Sequence, residues 1–160
     1  MPQISDNTRE EIRHHSKRLG REIAMQFLYS CEMQEQLPGA AAFEAFFETA
    51  QDVFELPSSR LERRAREYAS QLYEVTAINM EKIDGIIADN CRNWDFDRIS
   101  GVDRNILRVA VAEMCFIPEI PAIVSIDEAV GIARDYSGCE SGNFVNGILN
   151  AIKNQLPEKK

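Results

Sequence analysis

Five positively charged side chains lie close together near the start of the sequence. Arg9, Arg13, Lys17 and Arg21 are spaced four residues apart, and Arg18 follows Lys17; we call these five residues the basic row. Residues at this spacing share one face of a helix, so the basic row could neutralise successive phosphates of a nucleic acid. Charged helix faces are usually solvated surface, so the pattern alone leaves both interpretations open.

Outside the basic row, the sequence contains no pattern typical of a catalytic or metal site. His14 and His15 are the only histidines, and adjacent side chains point about 100° apart on a helix, which does not favour a metal site. The four cysteines are widely spaced without a C-x-x-C pair, which favours reduced thiols. Because nucleophile, phosphate-loop and H-E-x-x-H motifs are also missing, we predict a binding protein without metal or cofactor that is not an enzyme.

The charge of the basic row contrasts with that of the whole chain. The 160-residue sequence has a formal net charge of −8, whereas the segment from Arg9 to Arg21 is net positive. A local positive field on an acidic body can bind RNA while limiting non-specific association. The sequence shows neither the apolar stretch of a secretion signal nor an apolar run of membrane-spanning length. It therefore predicts a cytoplasmic protein with no membrane partner.

Helical periodicity runs through most of the sequence, and no segment shows convincing strand alternation. Short connectors near positions 38, 57, 100 and 120 separate the apolar stripes. We therefore predict an all-α fold of about seven helices within one domain, 1–160, built from two packed small helical bundles, about 8–78 and about 79–156. The predicted helices cover about 8–36, 40–55, 59–78, 79–91, 102–116, 125–137 and 142–156.

Three of the predicted helix starts carry a capping-box pattern, in which glutamate follows a serine or threonine by three residues. The hydroxyl and the carboxylate of such a pair accept hydrogen bonds from backbone N–H groups of the first turn. The three pairs are Thr8-x-x-Glu11, Ser59-x-x-Glu62 and Ser125-x-x-Glu128.

A second group of arginines lies in the predicted third helix, interleaved with Glu62 and Glu67. Opposite charges three or four residues apart can pair on a helix surface. We therefore interpret this group mainly as a salt-bridged helix face. Its members are Arg60, Arg63, Arg64 and Arg66.

The last predicted helix contains an unusual glycine. Asn146-Gly147 is normally a turn signal, and glycine inside a helix costs about 1 kcal/mol relative to alanine. This cost implies a compensating gain, which is either close packing of helices or a functional surface. Just upstream, Gly142-Asn143 is predicted to open the helix with free N–H groups suited to a phosphate, and Phe144 could stack on a base or fill the core.

Several segments, taken together and in order, resemble the NusB family of bacterial transcription antitermination factors. The most specific segment is the last, in which F-V-N-G stands inside a predicted helix. The region from about 37 to 95 is similar in helical pattern more than in residues. The matching segments are Arg21–Tyr29, Asp103–Ala110 with Glu113-Met114, Ile120-Pro121, Ser125–Val130 and Asn143–Leu149.

The resemblance implies an all-α fold of two three-helix-type bundles and a function in transcription. Members of the family bind the boxA element of ribosomal RNA leaders together with NusE, a ribosomal small-subunit protein, and the pair helps RNA polymerase read through terminators. The alternative is a helical protein–protein adaptor in transcription or ribosome biogenesis without sequence-specific RNA readout. The sequence leaves open whether the chain is a monomer or a homodimer.

The resemblance also implies which residues contact RNA. The basic start of the first helix corresponds here to Lys17, Arg18 and Arg21, with Leu19 where a third arginine is expected. Arg9 and Arg13 lie upstream of the family match, so only their spacing supports an RNA contact. The remaining expected contacts are Tyr29, Arg108, Glu140, Asn143 and Phe144.

Overall fold

Seven α-helices form the described part of this computed structural model, which comprises residues 5–54, 59–91 and 95–159, with side chains at all but 12, 13, 50–54, 59 and 60. These ranges contain no strand, and one 3₁₀ turn, Phe96–Arg98, precedes the fifth helix. The predicted all-α fold of about seven helices is confirmed. The helices are α1 (Asp6–Met33), α2 (Ala40–Phe54), α3 (Ser59–Ile78), α4 (Met80–Asp89), α5 (Gly101–Phe116), α6 (Ala122–Ser137) and α7 (Cys139–Gln155).

The first helix begins earlier than its sequence pattern predicts. Ser5 precedes α1, and its Oγ accepts a hydrogen bond from the backbone N–H of Thr8 at 3.3 Å. The prediction that Thr8 caps the helix is therefore wrong, because Ser5 supplies an equally suitable cap further upstream. At its other end α1 stops at Met33, before the predicted end, and Glu35 takes a left-handed conformation with φ of 51°.

The sixth helix also begins before its predicted cap. It starts at Ala122, directly after Pro121, whose fixed φ suits a helix start. Ser125 consequently lies inside α6, where its buried hydroxyl donates a hydrogen bond to Oε1 of Glu113 at 2.6 Å. The capping prediction for Ser125 is thus wrong. The cap predicted at Ser59 involves a side chain outside the described residues.

The seventh helix begins at Cys139 rather than at Gly142. Gly138, with φ of +100°, separates it from α6 in a conformation that favours glycine. The N–H of Gly142 already donates to the carbonyl of Gly138 at 3.2 Å. The predicted phosphate site at Gly142-Asn143 is therefore wrong, because the helix has begun one turn earlier and uses the Gly142 donor itself.

The core is continuous across the helices. α1 packs against α2, α3 and α5, and α5 packs in turn against α3, α4, α6 and α7. Phe27 of α1 lies at the centre of one aromatic group, with its ring centroid 5.2 Å from Phe43, 5.5 Å from Phe46 and 4.9 Å from Tyr73. The division into bundles of about 8–78 and about 79–156 stays a prediction.

The helices α1 and α3 lie side by side and run in the same direction. Near the start of their contact, a Cβ on Gly20 would meet the Ala65 carbonyl oxygen and the Tyr68 ring at 3.0 Å, so this close approach requires glycine. Further along, Phe27 packs against Tyr73. The N-terminal part of α3 therefore lies alongside the N-terminal part of α1, which carries the basic row.

Candidate nucleic-acid interface

The structure separates the members of the basic row by their exposure. Arg9 is exposed, with its Nη1 3.9 Å from Oδ1 of Asp6. Lys17 is half-buried and holds its Nζ 4.5 Å from the centroid of the Tyr68 ring. The side chain of Arg13 lies outside the described residues. Within the described chain, no carboxylate pairs with Lys17. The ion pair between Arg9 and Asp6 is long and exposed to solvent, so it offsets little of the Arg9 charge.

Arg21 occupies a different environment, because α1 turns this position into the core. The residue is 4% exposed, and its Nε donates to both carboxylate oxygens of Glu113, at 2.8 Å to Oε2 and 3.1 Å to Oε1. Glu113 is itself 1% exposed, so each charge compensates the other away from water. The prediction that Arg21 contacts RNA directly does not fit this position, since its guanidinium faces a buried carboxylate.

The same carboxylate collects two further hydrogen bonds. The Tyr68 hydroxyl donates to Oε2 of Glu113, and the Ser125 hydroxyl donates to Oε1. Burial, together with the adjacent Glu113 charge, raises the pKa of Tyr68, so this phenol remains a donor at neutral pH. Glu113 therefore joins α1, α3, α5 and α6 at one point, and this junction fixes the side of α1 that faces solvent.

Arg18 links α1 to α6. Its Nη1 lies 3.1 Å from Oε2 of Glu128, its Nη2 lies 2.9 Å from Oδ2 of Asp135, and its Nε lies 3.8 Å from Oε1 of Glu22. A Cβ on Gly131 would come within 2.9 Å of the Arg18 guanidinium, so that glycine leaves room for the arginine across α6. Three surrounding carboxylates offset the charge of Arg18, and its predicted share in attracting phosphates is correspondingly small.

Arg108 is also engaged within the protein. Its Nε and Nη2 form a bidentate pair with Asp84 of α4, at 2.8 and 2.9 Å, and its Nη1 lies 2.9 Å from Oε2 of Glu32 on α1. Although burial acts in the opposite direction, hydrogen bonds from Arg104 and Asn105 lower the pKa of Glu32. The guanidinium of Arg108 therefore joins α1, α4 and α5, a geometry that does not present it to RNA.

A second group of predicted residues surrounds the N-terminus of α5. The Tyr29 ring lies against Gly101, where an added Cβ would meet the ring carbon Cε2 at 2.9 Å. Beside this helix start, a cleft of about 270 Å³ is lined by Glu140 and Phe144 of α7, among others. Glu140 is exposed and Phe144 half-buried, so both can contact a ligand at the rim of the cleft.

Asp103 is a residue of this cleft that the sequence-based site prediction missed. It is 8% exposed, and its Oδ2 accepts a hydrogen bond from the Ser141 hydroxyl at 3.1 Å. Its Oδ1 has no hydrogen-bond partner among the described residues. A buried carboxylate oxygen without a donor is costly, so Asp103 is a strained member of the cleft lining. No sequence pattern marks this position, because the contact joins α5 to α7.

The outer face of α7 continues the rim of the cleft. Asn143 is exposed, and Gly147, four residues further along the same face, is exposed as well. A Cβ on Gly147 would meet nothing within 4 Å. Close packing of helices is therefore the wrong explanation of this glycine. Of the two explanations that the sequence left open, the functional surface is the one compatible with its position.

The predicted contact residues thus form two regions instead of one continuous row. Lys17 and Tyr29 are twelve residues apart on α1, which corresponds to about 18 Å along the helix axis. The basic end comprises Arg9 and Lys17. The cleft end comprises Tyr29, Asp103, Glu140, Asn143 and Phe144.

The described ranges also bear on metal binding and on membrane insertion. These ranges contain no group of three histidine, cysteine, aspartate or glutamate side chains placed to hold a metal ion. Of the helices in the same ranges, none combines the length and the apolar character required to cross a membrane.

An all-helical fold with cations at one end and a cleft lined by an aromatic ring and carboxylates at the other defines a small helical binding protein. The model of the NusB family matches residues 18–154, which include the whole cleft end, whereas Arg9 and Lys17 of the basic end precede the matched range. The chain belongs to the NusB family, whose members are transcription antitermination proteins and not enzymes.

Individual relatives agree with this assignment. The transcription antitermination protein NusB of Geotalea daltonii is 39% identical over 145 residues, covering 91% of this chain and 99% of the relative. The protein of the same name from Acetivibrio thermocellus is 40% identical over 136 residues, covering 85% of this chain and 87% of the relative.

Solved structures show the same fold. One is a crystal structure of the antitermination factors NusB and NusE in complex with double-stranded RNA, similar to this chain with a TM-score of 0.74 and 28% identity, over 88% of this chain and 98% of the other. NusB of T. maritima is similar with a TM-score of 0.68 and 30% identity, over 87% and 91% of the two chains.

Proposed function

We propose that this protein is a cytoplasmic transcription antitermination factor that binds boxA-type single-stranded RNA of ribosomal RNA leaders together with NusE. The complex would act on RNA polymerase and promote transcription through terminators. The observation that carries the proposal is the similarity, over 88% of this chain, to a structure of NusB with NusE and double-stranded RNA. The two regions of the surface support it, since they combine cations with an aromatic and polar cleft.

Within this function, the basic end binds phosphates. Lys17 and Arg9 have the least neutralised charges of the described basic row, so each can replace condensed counterions on an RNA backbone. Arg13, whose side chain is not described, belongs to the same spacing and stays a weaker candidate. Contacts of this kind provide affinity and orientation, but they carry no sequence information.

The cleft end reads the bases. Phe144 and Tyr29 offer aromatic surface, on which an unstacked base gains about 1–3 kcal/mol. Glu140 presents acceptors for base amino groups at the rim of the same cleft, and Asn143 presents an exposed amide nearby on α7. Asp103 lines the same cleft, and the Ser141 hydroxyl holds its carboxylate in place. Sequence preference is therefore expected to depend on this end.

The three inward-facing arginines act on RNA through the placement of α1. Arg18 holds α1 to α6, Arg21 holds it to α5, and Arg108 holds its C-terminal part to α4 and α5. A change at any of them would move or loosen the helix that carries Lys17 and Tyr29. We therefore assign Arg18, Arg21 and Arg108 as positioning residues of the RNA surface.

The test is a titration of a boxA-type RNA oligonucleotide and a scrambled oligonucleotide at several salt concentrations. Lys17→Ala should weaken binding to both RNAs, whereas Phe144→Ala should reduce the preference for the boxA-type sequence. Lys153→Ala, at the exposed end of α7, is the matched control for loss of one positive charge. Equal affinity of the unaltered protein for both RNAs, with and without NusE, would instead favour the protein–protein adaptor.

A further inference from the structure

A groove between α1 and α3 lies next to the basic row. Its volume is about 420 Å³, and it opens along the N-terminal part of both helices. The residues that line it are Ser16, Lys17, Arg64, Glu67, Tyr68 and Gln71.

Two cations face this groove from opposite helices. Lys17 of α1 and Arg64 of α3 both line it, and neither belongs to any ion pair found among the described side chains. Arg64 is exposed, and Arg63 beside it is exposed too. The single carboxylate of the described lining is Glu67, so the groove carries a net positive charge.

Arg66 shows that the arginines of α3 have different environments. It pairs with Glu44 of α2, and its guanidinium carbon lies 4.8 Å from the centroid of the Phe47 ring. The interpretation of this group as a salt-bridged helix face thus applies to Arg66, although its partner lies on another helix. It does not apply to Arg64, whose charge remains available. The side chain of Arg60 lies outside the described residues.

The floor of the groove indicates which part of a ligand it can hold. Tyr68 is 7% exposed, its hydroxyl donates to Glu113, and Lys17 already covers its ring. No aromatic face is therefore left in this groove for a base to stack on. Gln71 adds an exposed amide along the lining. Cations and an amide without a stacking platform suit the phosphodiester backbone, which hydrogen-bonds and carries charge at every nucleotide.

We propose that the α1–α3 groove binds the RNA backbone, with Arg64 contacting a phosphate on the opposite wall from Lys17. The groove extends the basic end from one helix to two, so the RNA path leaves α1 along α3. Contacts here are independent of sequence, because they involve phosphates only. This inference rests on the proposed RNA-binding function and adds to it a phosphate-binding wall.

The experiment is a titration of the full-length chain with a boxA-type single-stranded RNA over a series of salt concentrations. Arg64→Gln is compared with Lys153→Gln, which removes the same charge from α7 beside a different cleft. For a single strand, loss of one phosphate contact should lower the slope of log affinity against log salt by about 0.7. We expect this change, with several-fold weaker binding to boxA-type and scrambled RNA alike, for Arg64→Gln and not for Lys153→Gln.

A second variant tests the groove without removing a cation. Glu67→Gln removes the carboxylate of the lining and should strengthen RNA binding, most visibly at low salt. If Arg64→Gln and Glu67→Gln both bind RNA as the unaltered chain does, while Lys17→Gln binds more weakly, the groove proposal is overturned and the RNA-binding function stands. If the unaltered chain binds no RNA even with NusE, the proposed function itself fails.

Discussion

Arg21 of α1 and Glu113 of α5 form an ion pair in the core, with Nε and Oε2 2.8 Å apart and both residues almost fully buried. The sequence places them 92 positions apart. Tyr68 and Ser125 donate to the same carboxylate, so α1 is fixed against three other helices at one point. This junction sets the rotation of α1 and thereby turns Lys17 towards the groove and Arg21 away from it.

Replacing Arg21 should affect stability far more than replacing Lys17. Arg21→Met leaves the Glu113 charge buried without its partner, and loss of one member of a buried pair typically costs about 3–5 kcal/mol. Lys17→Met removes a half-buried cation whose main contact is the Tyr68 ring, and it should cost about 0.5–1 kcal/mol, the usual value of such a cation–π contact. Denaturant unfolding of both variants measures the difference. Similar free energies of unfolding for the two variants would contradict the assigned roles.

Ser125 distinguishes a buried hydrogen bond from a helix cap. Aspartate is as good a cap as serine, so Ser125→Asp would be tolerated if this residue capped α6. In the structure the new carboxylate would face Glu113, so we expect severe destabilisation by like-charge repulsion and desolvation. Ser125→Ala should lose about 1.5–3 kcal/mol, the usual value for a hydrogen bond to a charged group. Thermal unfolding at neutral pH compares the two variants, and a stable Ser125→Asp protein would refute the buried contact.

Gly147→Ala should separate stability from binding. An added Cβ meets nothing within 4 Å, so alanine should stabilise α7 by up to about 1 kcal/mol. If RNA or NusE lies directly on this face, the same methyl group should weaken binding. Gly85→Ala is the matched control, because Gly85 is also an exposed helical glycine with open space around it. A Gly147→Ala protein that is stabilised and binds as before would remove Gly147 from the binding surface.

Glu32 should contribute to the loss of stability in acid. Although burial opposes the effect, hydrogen bonds from Arg104 and Asn105 hold its pKa in the folded state below the ordinary value of a glutamate. The folded protein therefore binds fewer protons at this site than the unfolded chain, and stability falls as pH drops through the lowered pKa. Glu32→Gln should be less stable at neutral pH and show a shallower decline in acid. Unfolding free energies measured from neutral to acidic pH test this, and an unchanged acid decline would contradict it.

Local pattern predicted the helices, but it could not predict the roles of individual charges. Short-range signals predict a helix break near Asn79 and a turn at Ser100-Gly101 that introduces α5. The structure agrees with both. Arg21 continued the spacing of Arg9 and Lys17, yet its burial depends on Glu113, a partner that spacing on one helix cannot reveal. The caps at Thr8 and Ser125 failed because other suitable starts precede them in the chain.

The cleft end shows the same limit. The resemblance indicated Glu140 and Phe144, which the structure places together at the rim of one cleft. Asp103 lay within a matching segment, but nothing in the sequence distinguished it from its neighbours, because its environment is made by Ser141 of α7. Gly147 was recognised as anomalous from the sequence, and only the tertiary structure could choose between close packing and an open surface.

The measurement that tests the central proposal most directly is the affinity for a boxA-type RNA with and without NusE. The account predicts that the chain and NusE together bind this RNA more tightly than either protein alone, and more tightly than they bind a scrambled RNA. It also predicts that Lys17→Ala lowers the affinity of the complex without unfolding the chain. An affinity that NusE does not change and that the scrambled RNA reproduces would contradict the account.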